Sequence, residues 1–272
     1  MDVSQKKQKP KRSVFDYFIN FICVAILFYF VVNEFNHLYR SLDTIRKNSE
    51  LFERHYILSS SFPFVGSYFL MAPENYDPKY KYPLVISLHG VSKHAYSAAA
   101  LASPGFRRRY PFFVMVPMAP PRAFWLSPKD KNYRMPSLIP FPDHMPVVMS
   151  GIKDIMNSYE IDENKIIMTG HSMGASGVIG AMQKYPDFFA AGIASSGVWS
   201  PNEITNIKKP LFVFHGTKDK AIPVSFSQEL ERAARNQNLP IKVSYIQGKG
   251  HGIGPYIYEN EMVWDAVVRA LR

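Results

Sequence analysis

Residues 165–180 read KIIMTGHSMGASGVIG. An apolar run, Ile166–Met168, stops at Gly170; Ser172 follows two positions on, and Gly174 two beyond that. One reading makes Ser172 a small residue where a strand meets a helix and nothing larger fits. The other makes it a nucleophile on a strained strand-to-helix turn, the context that G-x-S-x-G requires. On such a turn a side chain two residues either side collides with adjacent backbone, so glycine stands at 170 and 174. The hydroxyl then projects above a sheet edge. The amide of Met173, at a helix N-terminus, is left to face negative charge.

A serine hydroxyl is a poor nucleophile until a base takes its proton. In a strand–turn–helix setting the partners follow in the order serine, acid, histidine. VFHGTKDKAIP places Asp219 just after the apolar run Leu211–Phe214, and IQGKGHGIGP places His251 just after Ile241–Ile246. All three residues thus fall at the carboxyl ends of expected strands, the edge where open parallel sheets carry their sites. Asp187 is the rival acid, but it follows a helical stretch. A second oxyanion donor is expected from SLHGVSKH, through the amide of Val91, with that of Gly90 as a further candidate, in a glycine turn after an earlier strand. His89, His171 and Trp125 are the candidates for lining a substrate pocket, with packing or hydrogen bonding as the other reading of the two histidines and the core as the equal reading of Trp125. His215 reads as a packing or supporting residue, and His94 and His144 as surface.

The rest of the chain alternates short apolar runs with helical spacing. Expected strands are 67–73, 84–88, 112–117, 165–168, 190–196, 211–216 and 241–246, with helices near 147–161, from Met173, 224–236 and 259–271. Such alternation means βαβ units and a mostly parallel sheet with helices on both faces. The stretch 117–146 holds eight prolines and few helical signals. A long loop of that kind is usually functional, here a roof or lid.

The segments KYPLVISLHG, GHSMGASGVIGAMQKYPDFFAAGIASSG, PLFVFHGTKDKAIPV and GKGHG together resemble the α/β-hydrolase superfamily. Within it they are similar to the esterase, phospholipase and predicted-peptidase branch that includes feruloyl esterases and polyhydroxybutyrate depolymerases. The resemblance covers about residues 65 to 272. It implies Ser172 as nucleophile, Asp219 as acid, His251 as base, and Met173 with Val91 as oxyanion donors, with no metal or organic cofactor. A glycine common after the turn is Ala175 here. The implied activity is hydrolysis of a small-molecule carboxylic ester through an acyl-enzyme. Cleavage of small peptides is the alternative, since the same triad cleaves amides.

Two other classes compete. TGHSMGAS approaches the T-G-x-x-x-G-x-G fingerprint of short-chain dehydrogenases, and Tyr245 and Lys249 match Y-x-x-x-K. Against this, the last fingerprint glycine is Ser176, and the motif sits two-thirds along the chain. A non-catalytic relative serving as a binding module is the other, and the intact serine, acid and histidine argue against it.

The first 54 residues read differently. Of the 272 residues of the whole chain, 47% are hydrophobic and 20% charged, an ordinary globular balance, yet the formal charge is +10. Lys6, Lys7, Lys9, Lys11 and Arg12 crowd the start, and Arg107–Arg109 form a second cluster. No RNP, helix-turn-helix or zinc-ligand spacing accompanies the charge, so nucleic acid is not the expected partner; an anionic membrane surface is. YFINFICVAILFYFVV, Tyr17–Val32, is sixteen residues with only Asn20 strongly polar, and the lone Cys23 lies inside it. The basic flank and the lack of a small-residue cleavage site favour an uncleaved signal anchor over a signal peptide. The expected organisation is a basic cytoplasmic tail, 1–13; a transmembrane anchor, 14–33; a juxtamembrane linker or helix, 34–54; and a catalytic domain, 55–272. The last would be extracytoplasmic, periplasmic in a bacterium. Oligomeric state is left open.

Overall fold

The computed structural model describes residues 43–57, 66–120, 123–133 and 143–271. All of these belong to the second of two compact units, 41–272. The expected tail and anchor, 1–33, with Cys23, lie outside the described residues. No helix among the described residues is long and apolar enough to cross a membrane.

Eight described strands form one sheet, in the order β1-β2-β4-β3-β5-β6-β7-β8. They are β1 (Glu53–Ile57), β2 (Gly66–Met71), β3 (Tyr82–Leu88), β4 (Phe113–Pro117), β5 (Ile161–His171), β6 (Ala191–Ser195), β7 (Leu211–Gly216) and β8 (Ile241–Ile246). β1 pairs with β2 and β2 with β4 antiparallel, and every later pairing is parallel. The mostly parallel sheet agrees with the alternation of the sequence, while the antiparallel edge is new. β1 escapes a pattern reading because only Ile57 of its five residues is buried. The domain also begins before the expected boundary at 55. Ile45, on helix α1 (Asp43–Lys47), and Phe52 are buried, so the end of the supposed linker belongs to the folded unit.

The central strands are apolar on both faces, as a covered parallel sheet requires. Ile166, Ile167 and Met168 of β5 are all buried. Two short helices, α2 (Tyr96–Ala102) and α3 (Pro104–Arg109), lie between β3 and β4, and the longer α4 (Met145–Ser158) follows β4. In α4 the buried residues Met145, Val148, Ile152 and Ile155 recur at helical spacing. This helix ends earlier than its periodicity suggests, because Tyr159 is already extended and Ile161 opens β5. Next come α5 (Met173–Lys184), α6 (Ser225–Asn236), α7 (Gly254–Tyr258) and α8 (Glu261–Ala270). Arg109 on α3 pairs with Asp265 and Glu261, which ties the second basic cluster to the closing helix.

The described ends of the proline-rich stretch are anchored. Amides of His144 and Met145 donate to carbonyls of Phe124 and Trp125, closing its base. The carboxylate of Glu203 receives the amides of Lys129 and Asp130. Residues 121–122 and 134–142, the rest of the expected roof, lie outside the described residues.

Candidate active site

β5 ends at His171 and α5 begins at Met173, so Ser172 is the whole turn between them. Its backbone has φ 57° and ψ −119°, a conformation rarely tolerated outside glycine. The strain is held from several sides. The Ser172 amide donates to the Ser195 carbonyl at the end of β6, 2.9 Å away, and its own carbonyl accepts from Ser176 in the first turn of α5.

The flanking glycines are there for space. A Cβ on Gly170 would meet the main chain of Gly174 and, at 2.9 Å, the amide nitrogen of Ala175. One on Gly174 would press on the carbonyl of Leu88 at the end of β3, 2.9 Å from its carbon. Helix α5 therefore starts against the backbone of its neighbour strand. Tyr258 secures the turn from beneath: buried, its hydroxyl donates to the Gly170 carbonyl at 2.6 Å and accepts from the Gly170 amide at 3.2 Å. Sequence reading missed Tyr258, because α7 is a five-residue helix with too short a pattern to notice.

Ser172, His251 and Asp219 come together. Ser172 Oγ lies 2.9 Å from His251 Nε2, and His251 Nδ1 lies 2.8 Å from Asp219 Oδ2. With Nδ1–H donated to the carboxylate, Nε2 is left to accept the serine proton. The His251 side chain is partly exposed, whereas the Asp219 side chain is fully enclosed. Burial works against ionisation of Asp219. The Ile222 amide, the His251 ring and the Ala221 amide outweigh it, holding the carboxyl below the usual carboxylate range. Both amides reach Oδ1, each at 2.9 Å.

The loops that carry the acid and the histidine are stitched together. The Lys218 amide donates to the Lys249 carbonyl at 2.8 Å, and the Gly248 amide to Thr217 Oγ1 at 2.9 Å. A Cβ on Gly216 would lie 2.5 Å from the Lys249 carbonyl oxygen, so only glycine lets the loops approach this closely. The rival acid, Asp187, sits at the surface in an ion pair with Lys208. Tyr245 and Lys249 do not form a pair: the tyrosine hydroxyl binds Glu231 and the ammonium binds Tyr256.

As the first residue of α5, Met173 has an amide with no acceptor inside the helix. The turn after β3 approaches the same place, since a Cβ on Gly90 would stand 3.5 Å from Ser172 Cβ. The Gly90 amide, however, points to the His94 carbonyl at 3.4 Å, which removes it as an oxyanion donor. Val91 remains, on an exposed part of the turn.

Of the two readings open for His89, His171 and Trp125, the structure has the packing one in place of the pocket lining. His89 and Trp125 are fully buried and His171 nearly so, and none offers an open surface to a substrate. Instead they brace the site. The Trp125 indole donates to the His89 carbonyl at 2.9 Å. The His89 ring accepts from the Ala119 amide at Nε2, so its Nδ1–H donates to the Gly90 carbonyl at 2.8 Å. His171 packs its ring 5.0 Å from that of His251 and binds Ser195 Oγ at 3.0 Å through Nδ1. Burial pushes both rings from the ordinary 6.5 down to about 3, helped for His89 by Lys93 and for His171 by His251. His144, expected at the surface, is buried too, and burial takes it down to about 4. Among the described residues no three His, Cys, Asp or Glu side chains gather as metal ligands.

Residues 141–260, which contain Ser172, Asp219 and His251, match the family model described as phospholipase/carboxylesterase. A thermostable esterase of known structure is 26% identical, with a TM-score of 0.71 over 81% of this chain and 63% of its own. The chain thus spans under two thirds of that esterase. A CE1 ferulic acid esterase of Anaeromyces mucronatus, solved with ferulic acid, is 16% identical with a TM-score of 0.62, over 81% of this chain and 92% of its own. An acylaminoacyl peptidase of Pyrococcus horikoshii is 15% identical with a TM-score of 0.57, over 81% of this chain and 41% of its own. These last two share the fold. No curated protein matches the sequence significantly.

Proposed function

We propose that the chain is an α/β-hydrolase of the esterase and peptidase branch, and within it a serine hydrolase of small carboxylic esters working through an acyl-enzyme; the family model over residues 141–260 and the thermostable esterase at 26% identity support this. The observation that carries this reading is the unbroken line from Ser172 Oγ through His251 to Asp219, with links of 2.9 and 2.8 Å.

Each residue then has one task. Ser172 Oγ attacks the ester carbonyl while His251 Nε2 takes its proton. Asp219 fixes the tautomer and stabilises the imidazolium. The amides of Met173 and Val91 receive the charge that develops on the carbonyl oxygen. His251 returns the proton to the leaving alcohol, and water repeats the sequence to free the acid. The strained turn keeps the hydroxyl in place before substrate arrives, so little reorganisation is left for the reaction itself.

The ester reading is preferred to the peptidase alternative by the family model and by the esterase at 26% identity. A fluorophosphonate probe tests the nucleophile: the wild-type chain should label and Ser172→Ala should not. Comparing p-nitrophenyl acyl esters of rising chain length with peptidyl anilides tests the bond. Faster turnover of the anilides would reverse the preference, and a wild-type chain that neither labels nor turns over either class would leave a binding module.

We also propose that residues 14–33 anchor the chain in a bilayer with the catalytic unit outside the cytoplasm, periplasmic in a bacterium. The apolar run Tyr17–Val32 behind five cationic side chains supports this. Release of the full-length chain from membranes by alkaline carbonate would refute it.

A further inference from the structure

Asp219 has a fourth neighbour that the triad does not use. His215, at the end of β7, is completely buried, and its Nε2 lies 3.3 Å from Asp219 Oδ2. The same nitrogen is 2.9 Å from the Ile222 carbonyl, and Nδ1 is 2.7 Å from Ser227 Oγ on α6. Nε2 thus faces two acceptors, a carbonyl and a carboxylate, and must carry the proton. Nδ1 then accepts from the serine hydroxyl, which fixes the neutral tautomer.

The contacts form a closed circuit. The N–H of His215 is aimed at the carbonyl of Ile222, whose own amide holds Asp219 Oδ1. It also lies beside Oδ2, the oxygen that receives His251. One ring therefore steadies the loop that grips the carboxylate from one side and presents a donor on the other. The charged or titratable groups facing His215 are Asp219, which favours its protonation, and His251, which opposes it. Burial dominates and keeps the ring neutral, so it does not compete with the imidazolium at His251.

We propose that His215 is a positioning residue for the catalytic acid, setting the orientation of the Asp219 carboxylate and thereby the direction of the His251 ring. This rests on the reading of Asp219 as the acid of the triad. It predicts that the ring acts through its nitrogens and not merely through its volume.

The test uses the full-length chain with His215→Phe, which keeps the bulk, and His215→Gln, whose amide nitrogen can stand near the position of Nε2. In His215→Phe, kcat for a p-nitrophenyl ester should fall about 10-fold, the size of one hydrogen bond to a charged acceptor. KM should stay within about twofold, since the loss is confined to the chemical step. The proton resonance of His251 Nδ1–H, followed with isotope-labelled histidine, should move or broaden. His215→Gln should recover most of kcat and the resonance. A folded His215→Phe with wild-type kcat and an unmoved resonance overturns the proposal, as does a glutamine variant no better than phenylalanine. If His215→Phe does not fold, Ser227→Ala removes the partner that fixes the tautomer. It should move the same resonance and lower kcat about threefold, less than a full hydrogen bond to charge; no change in either overturns the proposal. Absence of ester turnover in the wild type would refute the proposed function, while the resonance would still report whether His215 orders Asp219 and His251.

Discussion

Gly174→Ala is the sharpest test of how the nucleophile is mounted. A Cβ at this position would be driven onto the carbonyl group of Leu88, 2.9 Å from its carbon, with the His89 carbonyl oxygen at 3.1 Å. Its nearest atom, the Leu88 oxygen, would fall inside the 3.0 Å that real Cβ contacts essentially never breach. The obstacle is backbone, so no side-chain rotation relieves it. Either α5 withdraws or the end of β3 does. Leu88 pairs with Gly170 in the sheet, and the next residues are the turn that carries Val91. Any relief therefore changes the spacing between Ser172 and one oxyanion donor. A displacement on the order of 1 Å at such a site costs about 10²-fold, and outright loss of a donor costs about 10²–10³-fold. Overpacking should cost about 1–3 kcal/mol of stability. The expected result is kcat for a p-nitrophenyl ester reduced about 10²-fold, beyond what a Tm lower by several degrees explains. Gly105→Ala, which meets nothing within 4 Å, serves as the control. If Gly174→Ala kept both wild-type kcat and wild-type Tm, the packing argument for the turn would be wrong.

Ser172→Ala and His251→Ala should each lower turnover by on the order of 10⁶, with KM little changed, in a stopped p-nitrophenyl assay; residual activity within a few-fold of wild type would remove the triad. Tyr258→Phe deletes the hydroxyl that both donates to and accepts from Gly170, and should cost about 1–3 kcal/mol by urea denaturation. An unchanged midpoint would mean that the hydroxyl does not secure the turn. Acid should destabilise the fold through its buried histidines. In the unfolded chain their rings take up protons below the ordinary 6.5, whereas the folded chain holds His89 and His171 neutral down to about 3 and His144 to about 4. The unfolded state therefore binds more protons in that window, and the stability present above pH 6.5 is lost as pH falls, by about 1.4 kcal/mol per pH unit for each ring. Urea midpoints that stay level from pH 7 to about pH 4.5 would contradict this burial.

Much of the site was legible because its geometry is local. Strand β8 was expected and found at 241–246, and β7 at 211–216, so Asp219 and His251 fell at strand ends. The glycines of the turn announced a close approach that a single sequence pattern can hold. What was not legible depends on contacts between distant segments. Trp125 read equally as a pocket aromatic or a core residue, and what decides for the core is its indole meeting the His89 carbonyl 36 residues earlier. The edge strand β1 carries one buried residue in five, too few for a periodicity. Gly90 read as a further donor beside Val91, but its amide faces His94.

By itself, the order of residues along the chain determined the parallel sheet, the sharp turn and the identity of the three side chains that meet there. Those properties follow from periodicity, from glycine spacing and from where each apolar run stops, all of which are written within a few residues. Only the tertiary structure decided how the three are held: Tyr258 beneath the turn, Trp125 and His89 behind the oxyanion loop, His215 against the acid. Each of these is a buried polar group satisfied by a partner far away in sequence. No local pattern records such a pairing, because its free energy exists only when the surrounding water has been excluded.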